Sequence, residues 1–370
     1  MKKLYVILFS AFAVTATNAQ NKFNLLVGTY TNKCQSNGIY VYEFNANSGE
    51  FKLKNSSENV ISPSYLSVSA NNKFVYAVNE NGTQSAVSAF GFDAVSGKLK
   101  FLNTNDALGA DPCHLINDDK NVIVANYSGG SIVVFKKNVD GSITTVQQLI
   151  QHEGKGPNVA RQEKAHVHQV VFSPDKKFVL SNDLGLDKVF IYKYNPDAKN
   201  EILTLKGSVD VKAGSGPRHL TFGKDGKFVY LVQELDGTLT TLSYDKTGNL
   251  KIVAETSILP KGFTGGTGAA AIKISPDGQF LYLTDRVDAN AISVYKILKN
   301  GSLELVEQQS TLGKGPRDFA IDPSGNFLLI GHQYTNDIII FKRDKTTGKL
   351  TDTGKRIELC SPVGLVFTKI

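Results

Sequence analysis

Two short apolar runs, flanked by polar residues and joined by a tight turn, recur along the whole chain. In the clearest copy Pro217-Arg218-His219-Leu220-Thr221-Phe222 leads through Lys224-Asp225-Gly226-Lys227 into Phe228-Val229-Tyr230-Leu231-Val232-Gln233-Glu234. Other copies begin at Pro63, Pro112, Val167, Ala269, Pro316 and Pro362, at successive intervals of 49, 55, 50, 52, 47 and 46 residues. The turns, such as Ser275-Pro276-Asp277-Gly278-Gln279 and Asp322-Pro323-Ser324-Gly325-Asn326, place Pro early and Gly or Asn late, as hairpins require. A third apolar run follows, as in Asp337-Ile338-Ile339-Ile340-Phe341-Lys342, then a polar turn and a fourth, as in Gly301-Ser302-Leu303-Glu304-Leu305. Four antiparallel strands in a period near fifty predict a β-propeller blade, hence an all-β protein.

The chain ends complete the pattern. Ser361-Pro362-Val363-Gly364-Leu365-Val366-Phe367 reads as a first strand with nothing after it, and Leu25-Leu26-Val27-Gly28-Thr29-Tyr30 as a second strand with nothing before it. Together they close a last blade, so residues 20–370 are expected to form a single seven-bladed ring without exposed edges. Residues 1–19 read as a secretory leader: Lys2 and Lys3, the apolar run Leu4 to Val14, and the small-residue cleavage site Thr17-Asn18-Ala19. That run is too short to span a bilayer. A periplasmic or secreted protein with no stable membrane insertion after leader removal is expected, cytoplasmic only if the leader is not used.

Composition narrows the function. Hydrophobic residues at 41% and charged residues at 20% are ordinary for a globular domain. The net charge of +7 falls to +5 without Lys2 and Lys3, and the lysines are dispersed, which speaks against nucleic-acid binding. The absence of Trp speaks against a WD-type propeller, whose signature needs one. Cys34, Cys113 and Cys360 lack metal-ligand spacing. A propeller brings Cys34 and Cys360 near each other, so a disulfide and three free thiols both stay open. There is no HExxH and no nucleophile elbow, and Gly262 to Gly268 reads as a loop over the ring mouth, since no helix follows it.

Hairpin geometry points to the chemistry. The residue after the opening Pro and the residue ending the second strand lie at the same end of the hairpin. They are 16 residues apart in four repeats: Ser64 and Glu80, Arg218 and Glu234, Ala270 and Arg286, Arg317 and Gln333. His168 with Asp183 is the equivalent pair at 15. If the first strand is innermost, these side chains ring one mouth of the central channel. His114, His166, His168, His219 and His332 fall at or beside these positions, and Arg161 lies in a preceding loop. Solvated strand ends would be served equally well by lysine; the choice of Arg and His favours an anion site. His219, next to Arg218 on its strand, is expected on the opposite face.

Several motifs taken together resemble the seven-bladed lactonase family, which contains propeller-type 6-phosphogluconolactonases and carboxy-cis,cis-muconate cyclases. They are Val27-Gly28-Thr29-Tyr30-Thr31, Arg161-Gln162 with Ala165-His166-Val167-His168, Asp183 to Val189, Gly216-Pro217-Arg218-His219 with Glu234, Asp285-Arg286, and Gly315-Pro316-Arg317-Asp318-Phe319. The resemblance runs from about residue 23 to the end. It implies catalytic roles for His168 (or His166), Glu234, Arg218 and Arg286. His166, Arg317, Arg161, Asp183 and Gln333 are expected to bind substrate. Two departures stand out: Ala271 lies where many members place a Glu, and the leader is absent from the cytoplasmic lactonases. The latter bears on the 6-phospho group of the substrate rather than on the lactone.

The reading that follows is a monomeric lactone hydrolase acting on a sugar lactone or carboxylate, with no cofactor and no metal. A lactonising cyclase and a non-enzymatic sugar-acid-binding propeller are the alternatives, because a fold does not by itself give a function.

Overall fold

The computed structural model describes residues 21–370. The leader read at 1–19 lies outside the described residues. The twenty-eight strands form seven four-stranded antiparallel sheets. We number the blades 1 to 7 by their first strands: Pro362–Lys369, Leu66–Val68, Pro112–Asn117, Val167–Phe172, Pro217–Phe222, Ala269–Ile274 and Pro316–Ile321. These first strands touch their neighbours all the way round, so they are innermost and line the channel. The described residues include no helix long and apolar enough to cross a membrane.

Blade 1 is built from both ends of the chain. Its C-terminal strand pairs antiparallel with Lys22–Thr29, which pairs in turn with Ile39–Asn45. A disulfide between Cys34 and Cys360 fastens the same junction, with Cα atoms 5.9 Å apart. The third cysteine, Cys113, is a buried free thiol.

Burial follows from position in the sheet. Second strands, such as Phe280–Asp285, are buried throughout, whereas outer strands, such as Ile143–Gln151, alternate between half-buried and exposed. An apolar cluster fills each of the seven interfaces between neighbouring blades; that between blades 5 and 6 joins Tyr230, Val232 and Leu239 to Ile272, Leu281 and Leu283. The first hairpin is pinned by its own side chains. Ser275 Oγ donates to Asp277 Oδ1 at 2.6 Å and accepts from Phe280 N at 3.0 Å, and Gly278 takes the positive φ of 78° that closes the turn.

Six of the seven inner strands carry a β-bulge near the mouth. In blade 5, Pro217 pairs with Gln233 and His219 with Val232, which leaves Arg218 as the extra residue. Cys113, His168, Arg317 and Val363 are the extra residues of blades 3, 4, 7 and 1. A bulge sets two consecutive side chains against one partner and re-aims them. The candidate site residues His168, Arg218 and Arg317 are all placed by this local irregularity.

Candidate active site

The bulge brings Arg218 and His219 to the same side, where both line a water-sized void of about 10 Å³ together with Ser64, Tyr65, Arg317 and Asp318. The expectation that His219 faces away from Arg218 assumed unbroken strand alternation, and the bulge removes it. His219 instead accepts from Arg218 Nη1 at 3.4 Å, and its ring lies 5.1 Å from that of His168 and 5.5 Å from that of His114.

Above this layer, Glu234 gathers three guanidinium groups. Its Oε2 accepts from Arg218 Nε at 2.9 Å and pairs with Arg286 Nη2 at 3.0 Å, while Oε1 accepts from Arg161 Nη2 at 2.6 Å. Each guanidinium is held from a second direction: Arg218 by the Ala270 carbonyl at 2.5 Å, Arg286 by the Gly268 carbonyl at 3.0 Å, Arg161 by the Tyr127 hydroxyl at 3.2 Å. The segment Gly262 to Gly268 thus ends by anchoring Arg286, with Thr267 donating to Asp285 beside it. Exposure grades outward, since the side chains of Arg218, Arg286 and Arg161 are 2%, 13% and 44% exposed. Arg286 and Arg161 therefore face the mouth, and Arg218 supports Glu234 from below.

Burial disfavours the Glu234 charge, but the Arg286, Arg218 and Arg161 guanidinium groups together hold its carboxyl well below the ordinary range. His168 Nε2 lies 3.9 Å from Glu234 Oε2. Burial, then Arg218, keeps this imidazole well below its usual pKa, against the pull of Glu234, so it is neutral at neutral pH. The Cys113 thiol donates to the His168 carbonyl at 3.3 Å and sits 3.8 Å from His168 Nδ1. Burial pushes that thiol up and keeps it protonated.

The remaining sequence-derived residues separate into three places. His166 stacks on Tyr127, with Nε2 at 3.2 Å from Glu163, and makes no contact with Glu234. Asp183 is fully buried: Oδ2 meets His152 Nδ1 at 2.7 Å, and Oδ1 accepts the backbone N–H groups of His166, Gly185 and Leu186. Oδ2 of Asp183 is thus committed to His152, and Oδ1 to His166 and to the turn that follows the Asp183 strand. The residue 16 positions after His168 is Leu184, so the substrate-binding expectation for Asp183 was placed one residue early on its strand. Arg317 and Gln333 stand across the mouth from Glu234. Arg317 lies over the Tyr30 ring at 5.3 Å, and Gln333 lines a cavity with Tyr30 and Glu80. Ala271 is fully buried in the apolar cluster between blades 6 and 7.

Tyr127 was passed over by the spacing argument because its hairpin is two residues shorter, 14 from Cys113. Among the described residues no group of three or more His, Cys, Asp or Glu side chains is placed to hold a metal ion.

With the site in view, comparison with known proteins is informative. Residues 24–367 match the family described as "Lactonase, 7-bladed beta-propeller". The 6-phosphogluconolactonase of Formosa agariphila is 38% identical over 333 residues, covering 88% of this chain and 94% of that protein. The 6-phosphogluconolactonase of Bacillus subtilis is 36% identical, covering 92% and 97%. Among solved structures, the periplasmic gluconolactonase of Pseudomonas aeruginosa superposes with a TM-score of 0.89 at 34% identity, covering 94% of this chain and 99% of that one. The chain belongs to the seven-bladed β-propeller lactonase family.

Proposed function

We propose that this protein hydrolyses sugar-acid lactones to aldonates, as a 6-phosphogluconolactonase-like enzyme. The observation that carries the reading is a neutral His168 set 3.9 Å from a carboxylate that three guanidinium groups clasp. Ester hydrolysis needs a base for water and fixed positive charge where the oxyanion develops. His168 takes a proton from water as its oxygen bonds to the acyl carbon. Arg286 and Arg161, the two arginines open to the mouth, stabilise the tetrahedral oxyanion. The ring C–O bond then breaks and the proton passes from His168 to the departing alkoxide. Glu234 is too weak a base for the first step, and its role is to hold the arginines and the imidazolium as it forms. Three arginines against one carboxylate leave an excess of two positive charges at this half of the mouth, which suits an anionic product.

The purified protein should accelerate opening of δ-gluconolactone or its 6-phosphate beyond the spontaneous rate, followed by acid release in a pH-stat. No acceleration with either would overturn the reading.

We also propose export. The leader motif at 1–19 supports it, as does a disulfide, a bond that persists in oxidising compartments. N-terminal sequencing of the native protein should find a start at or near Gln20. An intact Met1 would sink export and favour a phosphorylated substrate made inside the cell.

A further inference from the structure

The proposed ring-opening groups occupy blades 4 to 6 and the loop before blade 4. Across the mouth, blades 7, 1 and 2 surround a cavity of about 440 Å³ lined by Tyr30, Asn32, Glu80, Gln333, Tyr334 and Asn336. We propose that this cavity is the subsite that reads the hydroxyl groups of the substrate, with Glu80 and Gln333 as the residues that do so. The inference rests on the lactone-hydrolase reading and names which part of a lactone this half of the mouth receives.

Three observations carry it. Glu80 is oriented by neutral hydroxyls: Tyr30 donates to it at 3.0 and 3.1 Å and Ser64 at 2.6 Å. No ion pair holds it among the described residues, in contrast to Glu234. An ionised carboxylate accepts about four hydrogen bonds, so Glu80 keeps acceptor capacity for alcohol donors. Second, the buried side-chain oxygen of Gln333 has no hydrogen-bond partner among the described residues. A buried acceptor without a donor is a cost that a hydroxyl group removes. Third, Glu80 links the cavity to the channel, because Ser64, which donates to it, lines the channel void with Arg218 and Arg317. An apolar occupant would strip Glu80 of water without replacing it and would leave the Gln333 oxygen without a donor. A hydroxyl-rich arm satisfies both.

The wall is rigid where this matters. Cys34 of the Cys34–Cys360 disulfide borders the cavity, and Ser361 donates to the Gln333 carbonyl at 3.1 Å. A site built to hydrogen-bond hydroxyls discriminates strongly against analogues that lack them.

The test compares kcat/KM for δ-gluconolactone and for δ-valerolactone, which has the ring ester without hydroxyls, in the wild type, Glu80→Gln and Gln333→Leu. The wild type should prefer the hydroxylated lactone, and each variant should cut that preference by about tenfold or more. A preference unchanged in both folded variants overturns the subsite. If Glu80→Gln fails to fold, Gln333→Leu decides alone, since the side-chain oxygen it removes has no protein partner to lose. If the wild type opens neither these lactones nor δ-gluconolactone 6-phosphate, the hydrolase reading fails separately. Calorimetric binding of gluconate then decides the subsite: about tenfold weaker binding to Gln333→Leu supports it, and equal or absent binding overturns it.

Discussion

Glu234→Gln is expected to lower kcat by about a hundredfold or more and to destabilise the fold at the same time. The amide keeps the shape of the side chain and removes its charge. Arg161, Arg218 and Arg286 then converge on a neutral group, and Arg218, 2% exposed, becomes a buried cation with no anion to balance it. Breaking a buried ion pair from one side costs about 3–5 kcal/mol. The arginines move apart, and with them goes the charge that meets the oxyanion. His168→Ala removes a neutral imidazole instead, so it should lower kcat by roughly 10²–10⁴ with a smaller loss of stability. Since the His168 pKa is depressed, the base form persists well below pH 6.5, the ordinary histidine value from which it is lowered. Wild-type kcat should therefore show no inflection near that pH. Steady-state kinetics with thermal melts on both variants check the pair. Near-normal turnover in both would move the reaction away from this cluster.

Acid should unfold the protein over a window in which most globular domains remain stable. His114, His168 and His219 are 3%, 4% and 8% exposed and lie ring to ring around the channel. Burial, then the charge of Arg218, pushes His114 down to about 3, and His168 and His219 are lowered well below their usual value. In the unfolded chain each titrates near ~6.5. The folded-state values lie below the unfolded ones, so the stability these residues contribute is complete above ~6.5 and is lost as pH falls. Each unprotonated histidine costs up to about 1.4 kcal/mol per pH unit in this range. For His114 alone the loss from pH 7 to 5 is about 2 kcal/mol, and His168 and His219 add to it in the same direction. Denaturant midpoints at pH 7, 6 and 5 should fall progressively, and His114→Gln should make that fall shallower. Equal midpoints at pH 7 and 5 would show that the native state takes up these protons.

The ring was legible in the sequence because each blade repeats one hairpin grammar, and the orphan strands at the two ends announced closure. The 16-residue spacing met Arg218 with Glu234 and Ser64 with Glu80 for the same reason. What it missed came from departures in length. The two-residue shortening that hides Tyr127 and the one-residue offset between Asp183 and Leu184 break a fixed count. The bulge hides His219, since alternation along a strand holds only while the ladder is regular. The Cys34–Cys360 bond was undecidable from spacing because it depends on how closure brings the two ends together.

The bulges carry a consequence for how such a molecule can change. Ladder residues are answerable to a partner strand, and altering them disturbs the sheet. Cys113, His168, Arg218, Arg317 and Val363 stand outside the ladder register; four of them line one void at the axis, and His168 lies against Cys113 beside it. Each comes from a different blade, so one of them can be exchanged while the other blades keep their own hydrogen bonds. A thiol, an imidazole, two guanidinium groups and an isopropyl group already share this one ring. Reaction chemistry can therefore drift by single substitutions at a handful of positions, on a frame whose folding depends on none of them for its backbone pairing.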